Sequence, residues 1–98
     1  MKMIFLSYKE SLDDEVTKKM NDAGITSFTK WKQVQDQGSS GYPRMGTHVW
    51  PGFNSAVTFV AEDAVASGLM DSIRSFNEET KFEGVKAMCW TLDDVSWK

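Results

Sequence analysis

The chain has 98 residues, 41% of them apolar and 26% charged, and its eleven basic and fourteen acidic side chains leave a net charge of −3. That length and balance predict one globular domain over residues 1–98 and exclude a disordered chain. An acidic chain without a basic run is a poor partner for nucleic acid, where binding rests on neutralised phosphates, and no apolar run approaches the ~20 residues needed for direct insertion across a bilayer.

The single cysteine, Cys89, has no partner for an intrachain disulfide, and the apolar run Met3–Leu6 falls short of a signal-peptide core of at least about seven residues. Both predict a cytoplasmic setting. Met3–Tyr8 (MIFLSY) is short, apolar and rich in β-formers, and its consecutive apolar residues predict a strand covered on both faces. Ser11-Leu-Asp-Asp14 matches a capping pattern, Leu12, Val16 and Met20 fall on one helical face, and Gly24 suits a helix stop. In Ile25–Gln35, Phe28, Lys30, Lys32 and Val34 alternate with Thr29, Trp31 and Gln33, which predicts a second strand with a partly exposed face.

Next comes a long loop or irregular hairpin, Asp36–Asn54, rich in glycine, serine and proline. Its stretch Gly41–Asn54 (GYPRMGTHVWPGFN) holds the sole histidine, both prolines, an arginine and a tryptophan. Ser55–Ala61 (SAVTFVA) predicts a third strand. Glu62–Asn77 predicts a second helix that buries Val65, Leu69, Ile73 and Phe76. Gly84–Leu92 (GVKAMCWTL) predicts a fourth strand, with Lys86, Met88 and Trp90 on one face.

The order is β-α-β-β-α-β, the α+β ferredoxin-like arrangement, with two helices on one face of a four-stranded antiparallel sheet. Helices on one side leave the other sheet face bare, yet the first, third and fourth strands are apolar on both. The simplest cover is further copies of the same chain, so a homo-oligomer built through the sheets is expected.

A ferredoxin-like chain of this length, with a long excursion between its second and third strands, resembles the PII signalling proteins and their CutA relatives. The stretch GTHVWPG is similar to a branch of small PII-like proteins rather than to the nitrogen regulatory PII proteins themselves. The resemblance implies a homotrimer whose sheets pack around a central axis, and an excursion that engages partners. It also implies intersubunit clefts that hold nucleotides or other small anionic ligands, and, for this branch, a membrane-transporter partner. It maps the PII loop before the last strand onto FEGVKAMC, making Gly84 and Lys86 the counterparts of ligand-binding residues. The Gly-Asp-Gly-Lys run and the tyrosine motif of the PII excursion are absent. No cofactor is identified by these residues.

The remaining candidates are read residue by residue. His48 alone titrates near neutral pH, either as a loop histidine or as a ligand. One histidine cannot build a tetrahedral metal site, but three symmetry copies facing an axis can, and Met45 or Cys89 nearby would favour soft metals. That is the CutA-like alternative, a divalent or soft-metal binding or tolerance protein. Arg44 and Lys86 suit an anionic ligand or stand as solvated charges, and Trp50 either stacks on a planar ligand or packs on a neighbouring copy. Trp31, Trp90 and Trp97 are expected in the core or an interface. Gly41, Gly46 and Gly52 are read as turn residues, Cys89 as buried and inert, and the carboxylate pairs, Asp13-Asp14 among them, as solvated. No nucleophile has a recognisable base in sequence, so a binding protein rather than an enzyme is expected.

Overall fold

Alternation along the first strand sets the architecture. In β1 (Lys2–Lys9) the even residues Ile4, Leu6 and Tyr8 are buried and form the centre of the core. The computed structural model describes residues 1–37, 43–44, 53–81 and 83–98. A 3-10 turn, Glu10–Leu12, leads into α1 (Asp13–Asp22), whose Val16 and Met20 are buried one turn apart. The predicted cap at Ser11 is not used: Leu12 holds the N-cap position without a side-chain cap bond, and the acidic first turn of Asp13, Asp14 and Glu15 answers the helix dipole. The helix stops at Gly24, with φ +81°. The Gly24 N–H donates to the Asn21 carbonyl (3.0 Å) and the Ile25 N–H to that of Met20 (2.9 Å), a Schellman closure that brings Ile25 into the core beside Met20.

After α1 come β2 (Thr29–Val34) and a short ribbon of β3 (Asp36–Gln37) paired with β4 (Pro43–Arg44). Then follow β5 (Asn54–Ala61), α2 (Asp63–Glu79) and β6 (Val85–Thr91). The four long strands form an antiparallel sheet in the order β2-β5-β1-β6, the ferredoxin-like order. Val57, Phe59 and Ala61 of β5 join the even residues of β1 against Val16 and Met20 of α1 and Ala66, Leu69 and Ile73 of α2. Val65 and Phe76, expected inside, pack at the core's margin. Burying each such aliphatic or aromatic side chain is worth roughly 1.5–3 kcal/mol, far more than an exposed ion pair such as Lys18–Asp22 or Arg74–Asp71.

Cross-strand partners share a face, so the register identifies the side away from the helices. Met3 pairs with Trp90, Phe5 with Met88 and Thr58, and Ser7 with Lys86 and Ala56. Trp31 joins this row beside Ala56. This open face is apolar, as expected from the strands, with Trp31 and Trp90 each 48% exposed and Met88 45%. One part of the predicted alternation fails. Trp31 pairs with Ala56 but Val34 pairs with Asn54, which leaves one extra residue on β2, a bulge in which Gln33 takes φ 57°. The bulge turns Val34 over to Trp31's face, away from Lys30 and Lys32.

Candidate functional site

Three loops meet at one end of the sheet. β1 ends at Lys9, which pairs with Asn54 at the start of β5, while Tyr8 pairs with Val85 at the start of β6. Val34, closing β2, pairs with the same Asn54. The β1–α1 turn, the base of the excursion and the loop before β6 therefore converge, and the Glu10 N–H donates to the Phe53 carbonyl (2.7 Å) to tie the first two together.

The loop before β6 is held by one side chain. Asn77, near the end of α2, donates its amide N–H to the Val85 carbonyl and accepts the Val85 N–H, both at 2.8 Å. A Cβ on Gly84 would stand 2.8 Å from Asn77 Oδ1 and push the amide from its place, so glycine suits this close approach. Gly84, predicted as a ligand-loop residue, thus has a packing reason of its own.

On the open face at this end, Lys9 donates to Glu83 Oε1 (3.1 Å), and Lys86 is exposed beside Ser7. Lys9 and Lys86 are diagonal neighbours across β1 and β6, a relation that sets the residues about 7–8 Å apart, with the Cβ atoms somewhat closer, within reach of long side chains. The apolar face thus ends in a cationic corner, next to the base of the excursion.

On the helix side of the sheet, the Tyr8 hydroxyl donates to Asp13 Oδ1 (2.7 Å), and the Lys30 ammonium donates to the same oxygen. This bridge fixes β2, and with it the root of the excursion, to β1 and α1. Burial first, then the hydrogen bond to Asp13, pushes the Tyr8 pKa up. Burial works to raise the Asp13 pKa, but the hydrogen bonds from Lys30 and Tyr8 and the charges of Lys30 and Lys32 outweigh it and hold the carboxyl below its ordinary value. Asp13, expected as a solvated charge, is instead a structural tie.

Of the predicted site residues, the structure brings Gly84 and Lys86 to the root of the excursion. Arg44 stands in β4 opposite Asp36, with its side chain outside the description. His48 and Trp50 lie outside the described residues, as do Gly41, Met45, Gly46 and Gly52. Among the described residues no three His, Cys, Asp or Glu side chains gather to hold a metal ion, and no helix is long and apolar enough to cross a membrane.

Cys89 corrects an expectation: it is exposed, not buried. It faces the helix side of edge strand β6, where the short side chains of Ala66 and Ser67 leave a cavity of about 260 Å³. Trp31, Trp90 and Trp97, expected in the core or an interface, lie outside the core of the single chain, Trp97 being 67% exposed. A larger cavity of about 430 Å³ lies between α1 and α2. Its charges pair among themselves, Lys18 with Asp22 and Lys19 with Glu15, so it offers no net charge for a ligand to read.

Lys9 and Glu83 escape the sequence reading because it ends the first strand at Tyr8 and takes only Gly84 and Lys86 from the stretch FEGVKAMC. Carrying the alternation of Phe5 and Ser7 one step further places Lys9 on the open face.

No protein-family model and no curated protein matches the sequence. Solved structures do match. The nitrogen regulatory PII-like protein CPII of Thiomonas intermedia K12, bound to ADP, AMP and bicarbonate, superposes with a TM-score of 0.70 at 14% identity, covering 95% of this chain and 88% of that one. The same protein bound to ADP and bicarbonate gives 0.69 at 14% identity, with the same coverage. A candidate PII-like signalling protein of Thermus thermophilus gives 0.64 at 16% identity, over 91% of this chain and 83% of that one. At such identities the likeness establishes architecture: this chain has the ferredoxin-like fold of the PII-like proteins.

Proposed function

We propose that this chain is a PII-like regulatory protein that binds a small anionic ligand and catalyses no reaction. In this reading it acts as a homotrimer whose apolar sheet faces pack around a common axis. The observation that carries the reading is the cationic corner of Lys9 and Lys86, set where the apolar open face meets the root of the excursion. The ligands bound by CPII, ADP, AMP and bicarbonate, are anions of the kind such a corner suits. In this proposal residues Asp36 to Asn54 form the recognition segment, and Arg44, His48, Trp50, Gly84 and Lys86 are the candidate ligand-binding residues. A membrane transporter as the partner of that segment belongs to the same proposal.

Two measurements test it. Titration calorimetry and thermal denaturation with ADP, AMP and sodium bicarbonate should show binding and a raised Tm, weakened by Lys86→Met; no response to any of the three refutes the ligand reading. Light scattering at tens of micromolar should give about three times the 11.1 kDa chain mass. Trp31→Glu with Trp90→Glu should return the mass to one chain, because each buries a charge in the apolar interface. A single-chain mass for the unaltered protein removes the trimer.

A further inference from the structure

The cationic corner contains a group that the ligand reading leaves unused, the Glu83 carboxylate. Its Oε1 accepts from Lys9 Nζ at 3.1 Å, and neither side chain is fully in water, at 26% exposed for Lys9 and 39% for Glu83. The residues come from opposite ends of the chain, and each is placed by backbone. Lys9 closes β1 with its register fixed by Asn54. Glu83 precedes Gly84 and Val85; Asn77 holds Val85 through two hydrogen bonds and stands close against Gly84. The carboxylate is therefore held against Lys9, one strand from Lys86.

A carboxylate is itself an oxyanion, with a planar pair of charged oxygens. What it offers an ammonium group is what a carbonate or a terminal phosphate offers. We propose that Lys9, with Lys86 beside it on the same face, forms an oxyanion subsite for a carbonate- or phosphate-bearing ligand, and that Glu83 fills this subsite as an internal stand-in until the ligand displaces it. The proposal rests on the ligand-binding reading above and names the chemical group that reading left open. It has two consequences. Binding exchanges one ion pair for another, so affinity stays modest and falls with salt. Displaced Glu83 also places its charge near the bound anion, so the ligand works against it throughout.

The test uses the full chain, titrated calorimetrically with ADP, AMP and sodium bicarbonate. The variants are Glu83→Gln, Lys9→Met, the double variant, and Lys18→Met on α1 as a control remote from the corner. Removing the competing carboxylate should tighten binding about two- to fivefold, the scale of a part-exposed ion pair. Lys9→Met should weaken it at least about threefold, Glu83→Gln should tighten binding less in the Lys9→Met background than in the parent, and Lys18→Met should match the parent. Effects on ADP and AMP alone identify phosphate as the recognised group, and effects on bicarbonate alone identify carbonate. If the parent binds and Glu83→Gln changes no affinity, the stand-in is overturned while the ligand-binding reading survives. Equal tightening in the presence and absence of Lys9 also overturns it, by reducing Glu83 to a diffuse charge. Binding by neither parent nor variants overturns both.

Discussion

The contact between Asn77 and Gly84 predicts an unusual mutational pattern. Asn77→Ala removes two 2.8 Å hydrogen bonds to Val85. At about 0.5–1.5 kcal/mol net for each bond, and with water recovering part of the loss because Asn77 is exposed, the cost is about 1–2 kcal/mol. For a domain of this size that lowers Tm by about 5–10 °C. Gly84→Ala should break the same bonds by another route, since its Cβ would lie 2.8 Å from Asn77 Oδ1 and force the amide aside. Alanine also restricts the unfolded chain, worth about 0.4–1 kcal/mol in favour of folding, so the net cost is smaller than that of Asn77→Ala. In the Asn77→Ala background the obstructing oxygen is gone, and Gly84→Ala should become neutral or stabilising. Thermal melts followed by circular dichroism, at one chain concentration so that association does not move Tm, complete the cycle. An equal cost for Gly84→Ala in both backgrounds refutes the steric argument, and an unchanged Tm for Asn77→Ala refutes the clamp.

Two further perturbations bear on the root of the excursion. Asp13 has its pKa lowered in the fold, so the stability it contributes is present above the ordinary carboxylate value of 3.8 and is lost as pH falls through the lower folded value; Asp13→Asn should cost about 1–2 kcal/mol near neutral pH and flatten the loss of Tm on acidification, and an unchanged acid profile would remove the Tyr8–Asp13–Lys30 tie as its cause. Gln33 takes φ 57°, a region costing a non-glycine residue about 1–2 kcal/mol, part of which glycine returns through its freer unfolded state, so Gln33→Gly should raise Tm by a few degrees; a lowered Tm would mean that the bulge is held by the glutamine side chain rather than tolerated by it.

The sequence and the structure agree where one physical cause acts alone. Ile4 and Leu6 among β-formers, Val16 and Met20 at a helical interval, and Gly24 at a helix end each follow from local chemistry, and the fold order follows from them. The open face is legible for the same reason, because consecutive apolar residues in β1 and β5 leave no polar side to turn toward water. Disagreement begins where a residue's role depends on a distant element. Asp13 reads as a helix-start carboxylate until Tyr8 and Lys30 converge on it, 5 and 17 residues away along the chain. Asn77 reads as the end of a helix until Val85 returns beside it. The bulge in β2 leaves no mark in a sequence that alternates through it, since glutamine, not glycine, takes the left-handed position. Cys89 reads as buried because strand periodicity gives a face but not whether an edge strand is covered.

The open face also changes character along its length, and that gradient bears on how assembly and ligand binding are related. Met3 with Trp90 and Phe5 with Met88 form its apolar rows; Ser7 with Lys86 and Lys9 with Asn54 form its polar end. A copy seated on the apolar rows gains by excluding water there, but pushing further would bury the charged groups of the polar end, which is costly. In the proposed assembly the contact therefore stops at the cationic corner, and its boundary becomes the wall of a cleft. If, as proposed, an anion binds there and touches both copies, occupancy favours assembly and assembly favours occupancy, as linkage requires of any ligand that contacts two subunits. The measurable form is a trimer dissociation constant that falls when ADP or bicarbonate is added to the parent, and that does not respond in Lys9→Met. A response equal in both proteins would separate the corner from the assembly and leave the two as independent properties of one sheet face.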